Sequence, residues 1–152
     1  MGWLSEAWRF IKNEKNQKTL AFIGPEHPDV ALSLNNLALL YYTQGQYAKS
    51  EPLYDRALGI AEKALCPEHP SVATDLNNLA ELYRAQGQYT EAEPLYERSR
   101  AMLEQVLGPE HPNVAMSLNS LALLYKARGQ YAKAEPLFQR ALAIMDSTIS
   151  EP

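Results

Sequence analysis

Apolar side chains between residues 28 and 65 recur with the period of a helix rather than a strand. Leu34, Leu37, Ala38 and Tyr41 stand at i, i+3, i+4 and i+7, which is one face of a helix. His27-Pro28 opens this helix, because proline suits the first helical turn. Gly45 closes it, because glycine takes the left-handed conformation that ends a helix at little cost. A second face follows, built from Tyr47, Ser50, Tyr54, Ala57, Leu58 and Ala61, and it ends near Leu65. The turn between the two helices is too short for any arrangement but an antiparallel pair.

The pattern then starts again. GPEHPDV at 24–30 returns as CPEHPSV at 66–72 and as GPEHPNV at 108–114, a spacing of 42 residues. LNNLALLYYTQGQY at 34–47 becomes LNNLAELYRAQGQY at 76–89 and LNSLALLYKARGQY at 118–131. The chain therefore divides into repeats at 24–65, 66–107 and 108–149, preceded by a non-repeating segment 1–23 and followed by a tail 150–152. One helix pair cannot bury its apolar face alone, but stacked pairs can. The expected fold is all-α, an α-solenoid of stacked antiparallel helix pairs coiling right-handed. Small residues recur where helix axes must approach: Ala38, Ala80 and Ala122 in the first helices, Ala57, Ser99 and Ala141 in the second. Pro52, Pro94 and Pro136 fall inside the second helices, where proline removes a backbone hydrogen bond. A bend there is the expected accommodation, in preference to an irregular first turn.

These large and small positions resemble the tetratricopeptide repeat. Leu34, Leu37, Ala38 and Tyr41 match that family's first helix, and Tyr47, Ser50, Tyr54 and Ala57 match its second. The 42-residue period and the GPEHPDVA…LNNLA wording resemble more narrowly the repeats of kinesin light chains and their bacterial relatives. Glu62, Glu104 and Asp146 stand near the place where the shorter, 34-residue form carries a proline, so the second helix is expected to run on.

The resemblance implies a scaffold that binds a peptide or partner protein in a concave groove lined by the first helix of each repeat. Carried over position by position, the groove residues are Asn35, Asn36, Leu39 and Tyr42, with Leu32, in the first repeat. They are Asn77, Asn78, Glu81 and Arg84, with Thr74, in the second, and Asn119, Ser120, Leu123 and Lys126, with Met116, in the third. An asparagine amide can donate to and accept from a peptide backbone. Equally, Asn35, Asn77 and Asn119 can serve only to join neighbouring helices. Leu39, Tyr42 and Leu123 offer apolar contact, while Arg84 and Lys126 offer positive charge. An extended ligand with apolar and acidic residues is therefore expected. Some relatives grip a C-terminal carboxylate with groove lysines or arginines; Asn, Leu, Thr and Met occupy those places here.

Composition narrows the alternatives. The net charge is −4, which does not favour nucleic acid or an anionic membrane. Cys66 is the single cysteine, so the chain cannot form an internal disulfide, and a reducing, cytoplasmic setting is expected. No apolar run approaches the roughly 20 residues that span a bilayer. Glu6 replaces the Ser or Thr that would follow a myristoylated Gly2.

No catalytic, metal or cofactor site is expected. His27, His69 and His111 with their neighbouring glutamates invite a metal reading. Stacked repeats, however, hold equivalent atoms apart by on the order of 10–20 Å, beyond the reach of one ion. The PEHP loops read instead as helix boundaries, and Cys66 as a neutral replacement for Gly24 and Gly108.

The two ends invite further expectations. Trp3, Leu4, Ala7, Trp8 and Ile11 form an apolar stripe that suits a cap on the first repeat in place of a preceding second helix. The alternative is membrane contact by two tryptophans with Lys12, Lys15 and Lys18. Ala141, Leu142 and Met145 have no following repeat to cover them, so head-to-tail self-assembly is the second functional reading.

Overall fold

The computed structural model describes residues 24–66 and 68–149. The capping or anchoring expectation for residues 3–23 and the tail 150–152 lie outside these residues. Among the described residues six helices follow one another: α1 Pro28–Thr43, α2 Tyr47–Ala64, α3 Pro70–Ala85, α4 Tyr89–Leu107, α5 Pro112–Ala127 and α6 Tyr131–Ile149. The helices of each repeat pack on one another, and α2 packs on α3 as α4 packs on α5. In addition α3 touches α5, so the first helices of successive repeats lie side by side.

The PEHP loop is a capping device. His27, His69 and His111 are the N-cap residues of α1, α3 and α5, each in extended conformation with proline next in the chain. In all three the imidazole Nδ1 accepts a 3.1 Å hydrogen bond from the backbone N–H two residues on. That N–H would otherwise be one of the unpaired donors of the first turn. The histidines therefore act one at a time, each at its own helix start.

The first helices end alike. Gly45, Gly87 and Gly129 have φ near +70°. The next residue's N–H reaches back 2.8 Å to the carbonyls of Tyr41, Tyr83 and Tyr125, the bond that marks a Schellman closure. The chain reverses within three residues, and the second helix begins at once.

Cys66 makes a local difference. Gly108 takes φ +90 as the C-cap of α4. Among the described residues no non-glycine residue has positive φ, so Cys66 does not copy that conformation. The helix before it ends at Ala64 with an extended Leu65, whereas α4 runs to Leu107. Downstream the turn is the same, since His69 N–H bonds to the Cys66 carbonyl as His111 N–H bonds to that of Gly108.

Small residues occupy the closest approaches. Ala38, Ala57, Ala80 and Ala122 are fully buried, and Ser99 and Ala141 nearly so. Ser50 Oγ donates to the Ala38 carbonyl at 2.8 Å, and Ser99 Oγ to that of Ala73 at 2.7 Å, contacts only a short side chain can make. Leu76, Leu82, Leu118, Leu121, Leu124 and Tyr96 fill the space between helices.

Pro52, Pro94 and Pro136 lie within α2, α4 and α6, which run unbroken through them. These helices are regular from their first residue, so an irregular first turn is not the accommodation. Each proline is exposed, and so are Ala48, Thr90 and Ala132 four positions back. Their freed carbonyls therefore meet water, which moderates the cost of the lost bonds.

Candidate peptide-binding groove

Eight of the twelve expected groove residues fall into three different chemical situations. The first is a cleft between α3 and α5 of about 580 Å³. Asn77 and Asn78 line one wall, Asn119 and Ser120 the other, and Ser99 and Leu103 of α4 contribute from beneath. Thr74 and Met116 also line it. No charged side chain does. Asn77, Asn78 and Asn119 make no side-chain hydrogen bond to any described residue. The hydroxyls of Thr74 and Ser120 donate to carbonyls one turn back, at 3.2 and 3.3 Å, which leaves their lone pairs as acceptors. The cleft thus offers unpaired amide donors and acceptors, the requirement for holding a peptide backbone.

The second situation is a closed network. Glu81 Oε2 accepts from the Tyr96 hydroxyl at 2.6 Å and from Arg84 Nε at 3.0 Å. Its Oε1 accepts from Arg84 Nη2 and, at 3.3 Å, from the Tyr42 hydroxyl of the preceding repeat. Burial pushes the Glu81 carboxyl up, but the hydrogen bonds from Arg84 and Tyr96 outweigh it and hold the group below the usual carboxylate range. Its hydrogen bond to Glu81 raises Arg84 further above its ordinary value. Three expected groove residues are therefore engaged with one another, and the charge of Arg84 is matched by that of Glu81. Only exposed Lys126 keeps an unmatched charge on that row.

The third situation is Asn35. Its Nδ2 donates to Asp75 of α3 at 2.6 Å, which is the helix-joining role. Its Oδ1 is buried with no partner. Asp75 is 4% exposed, and burial raises its carboxyl to about 6 against the opposing effect of the Asn35 hydrogen bond. With Leu32, Thr74 and Ser71 this pair lines a smaller cleft of about 320 Å³ between α1 and α3. The remaining expected residues, Asn36, Leu39, Leu123 and Lys126, are exposed and lie outside both clefts.

Asp75 and Tyr96 are the residues that the repeat pattern does not single out. Asp75 carried a signal, since it alone replaces the serine found at Ser33 and Ser117. Tyr96 carried none, because Tyr54 at the same repeat position is simply core.

With this geometry in hand, comparison with known proteins is decisive for the family. The tetratricopeptide repeat profile matches residues 18–63, 29–105 and 71–147. The chain belongs to the tetratricopeptide repeat family. Among solved structures, BtubC (BKLC) from P. vanneervenii is 26% identical with a TM-score of 0.78, over 91% of this chain and 56% of that one. A Podospora anserina protein with nearly identical TPR-like repeats of kinesin light chain type is 33% identical with a TM-score of 0.73, over 91% of this chain and 66% of that one. The present chain thus spans about half to two thirds of these relatives. The N-terminal domain of stress-induced protein-1 from C. elegans shares the fold, at 19% identity and a TM-score of 0.60, over 77% of this chain and 85% of that one. Comparison with curated proteins gives no match. Repeats of this family generally serve as non-catalytic protein-interaction scaffolds. Among the described residues no helix is long and apolar enough to cross a membrane.

Proposed function

We propose that the chain binds an extended segment of a partner protein in the cleft between α3 and α5. The observation that supports this most is the set of unpaired amides of Asn77, Asn78 and Asn119 on facing walls of that cleft. The backbone of an extended peptide presents alternating donors and acceptors, and facing asparagines can satisfy both. Met116, 64% exposed, gives an apolar side chain of the ligand a flexible surface to pack on. Charge contributes little, since the lining is neutral and Arg84 is matched by Glu81. The preferred ligand is accordingly polar-neutral and apolar, with Lys126 tolerating an acidic residue at one end. No catalytic, metal or cofactor chemistry enters this reading.

The test is selection of peptides from a random library on the whole chain, followed by calorimetric titration of the best binder. Asn78→Ala with Asn119→Ala should weaken that binder by about 1–3 kcal/mol, the range for unpaired polar groups, with melting unchanged. Glu97→Ala on α4, outside the cleft, should have no effect. Equal loss in that control would remove the groove from the cleft.

A further inference from the structure

The junction between repeats is one contact made twice. At the first, Leu58 and Ala61 of α2, with Leu65 just after it, share a core with Val72 and Leu76 of α3; at the second, Leu103 and Leu107 of α4 do so with Val114 and Leu118 of α5. Further along the first junction, Leu79 and Leu82 pack with Ala38 and Tyr54. A tyrosine-to-glutamate hydrogen bond accompanies each junction: Tyr83 to Glu51 at 3.3 Å, and Tyr125 to Glu93 at 2.9 Å.

Each end of the described stack, residues 24–149, carries one half of this same contact. On α1 the repeat equivalents of Leu79 and Leu82 are Leu37 and Leu40, which are 37% and 51% exposed where Leu79 is 4% and Leu82 is 0%. The hydroxyl of Tyr41, equivalent to Tyr83 and Tyr125, has no hydrogen-bond partner among the described residues. On α6 the equivalents of Leu58 and Leu65 are Leu142 and Ile149, 62% and 79% exposed. Glu135 stands where Glu51 and Glu93 stand. The two half-contacts are complementary in register, in apolar character and in the tyrosine–glutamate pair.

We propose that a second copy of this chain docks head to tail, the outer face of its α1 on the outer face of α6. Leu37 and Leu40 of the second copy then meet Phe138, as Leu79 and Leu82 meet Tyr54 within the chain. Val30 and Leu34 of the second copy meet Leu142, Met145 and Ile149, and Tyr41 of the second copy donates to Glu135. The interface repeats a contact that the chain already makes twice internally, with Met145 in the place of Ala61 and Leu103. It is a heterologous contact, which repeats from copy to copy without closing. This docking uses the ends of the stack, so it stands independently of the peptide cleft.

The experiment is sedimentation of the 152-residue chain and two variants. The tail variant carries Leu142→Glu and Met145→Glu, and the head variant carries Leu37→Glu and Leu40→Glu. All four side chains are exposed, and circular dichroism checks that both variants keep the parent helicity. The parent should grow in mass with concentration over the micromolar to millimolar range. Each variant alone should be monomeric, and their mixture should form a one-to-one dimer that grows no further, because each supplies the face the other lacks. A parent that stays monomeric throughout overturns the proposal, as does a variant that associates alone or a mixture that fails to pair.

Discussion

The Asn35 amide donates a 2.6 Å hydrogen bond to the Asp75 carboxylate across the first repeat junction. Asp75 is nonetheless a carboxylate in a place where the other two repeats use serine. Burial raises it from 3.8 to about 6, and the hydrogen bond only partly offsets that. A raised folded-state value means that the native chain binds more protons than the unfolded one between these limits. The protonated group's contribution is therefore complete below about pH 4 and lost as pH rises through 6, by about 3 kcal/mol at most. Asp75→Ser should flatten this part of the stability profile. Urea titrations at several pH values measure it, and an unchanged slope between pH 4 and 6 would refute the assignment.

Glu81 titrates in the opposite sense. Its folded-state carboxyl lies below the ordinary value despite burial, so its contribution is present above about pH 4.5 and lost as pH falls. Glu81→Ala also strands the Tyr96 hydroxyl, which sits on a fully buried residue. The expected loss is about 2–3 kcal/mol of unfolding free energy at neutral pH. Arg84→Ala should destabilise as well, because it removes the cation from the same network. Chemical denaturation that finds both variants as stable as the parent would show the network to be unimportant.

His69→Ala removes the imidazole that caps α3 and should lower stability by about 1 kcal/mol. His69→Asn should recover most of that, since its side-chain oxygen can accept from the same first-turn N–H. Thermal melts of the pair decide the matter: equal losses in both would mean that the imidazole is needed for something other than capping.

Cys66→Gly lets position 66 take the positive φ seen at Gly108. The side chain is exposed, so the change should stay within about 0.5 kcal/mol of the parent. Peptide binding measured by calorimetry should be unaffected, and a loss of it would give the thiol a role that its surroundings do not suggest.

Periodicity and repetition were enough to establish the fold. The face made by Leu34, Leu37, Ala38 and Tyr41, the His-Pro starts and the Gly stops are local signals, and local propensity agrees with the tertiary outcome at each of them. The repeats then say that neighbours must be alike, because one helix pair cannot bury its own face. What the sequence could not show was which groove residues are free. Asn35, Asn77 and Asn119 are the same letter at the same repeat position, yet Asn35 is held by Asp75 and the other two open into a cleft. Arg84 reads as a cation, but Tyr96 and Tyr42, 12 and 42 residues away in the chain, help to gather it and Glu81 into a closed network. Hydrogen-bond partnership depends on atoms brought together across helices, and distances of a few ångströms between distant residues exist only once the repeats have stacked.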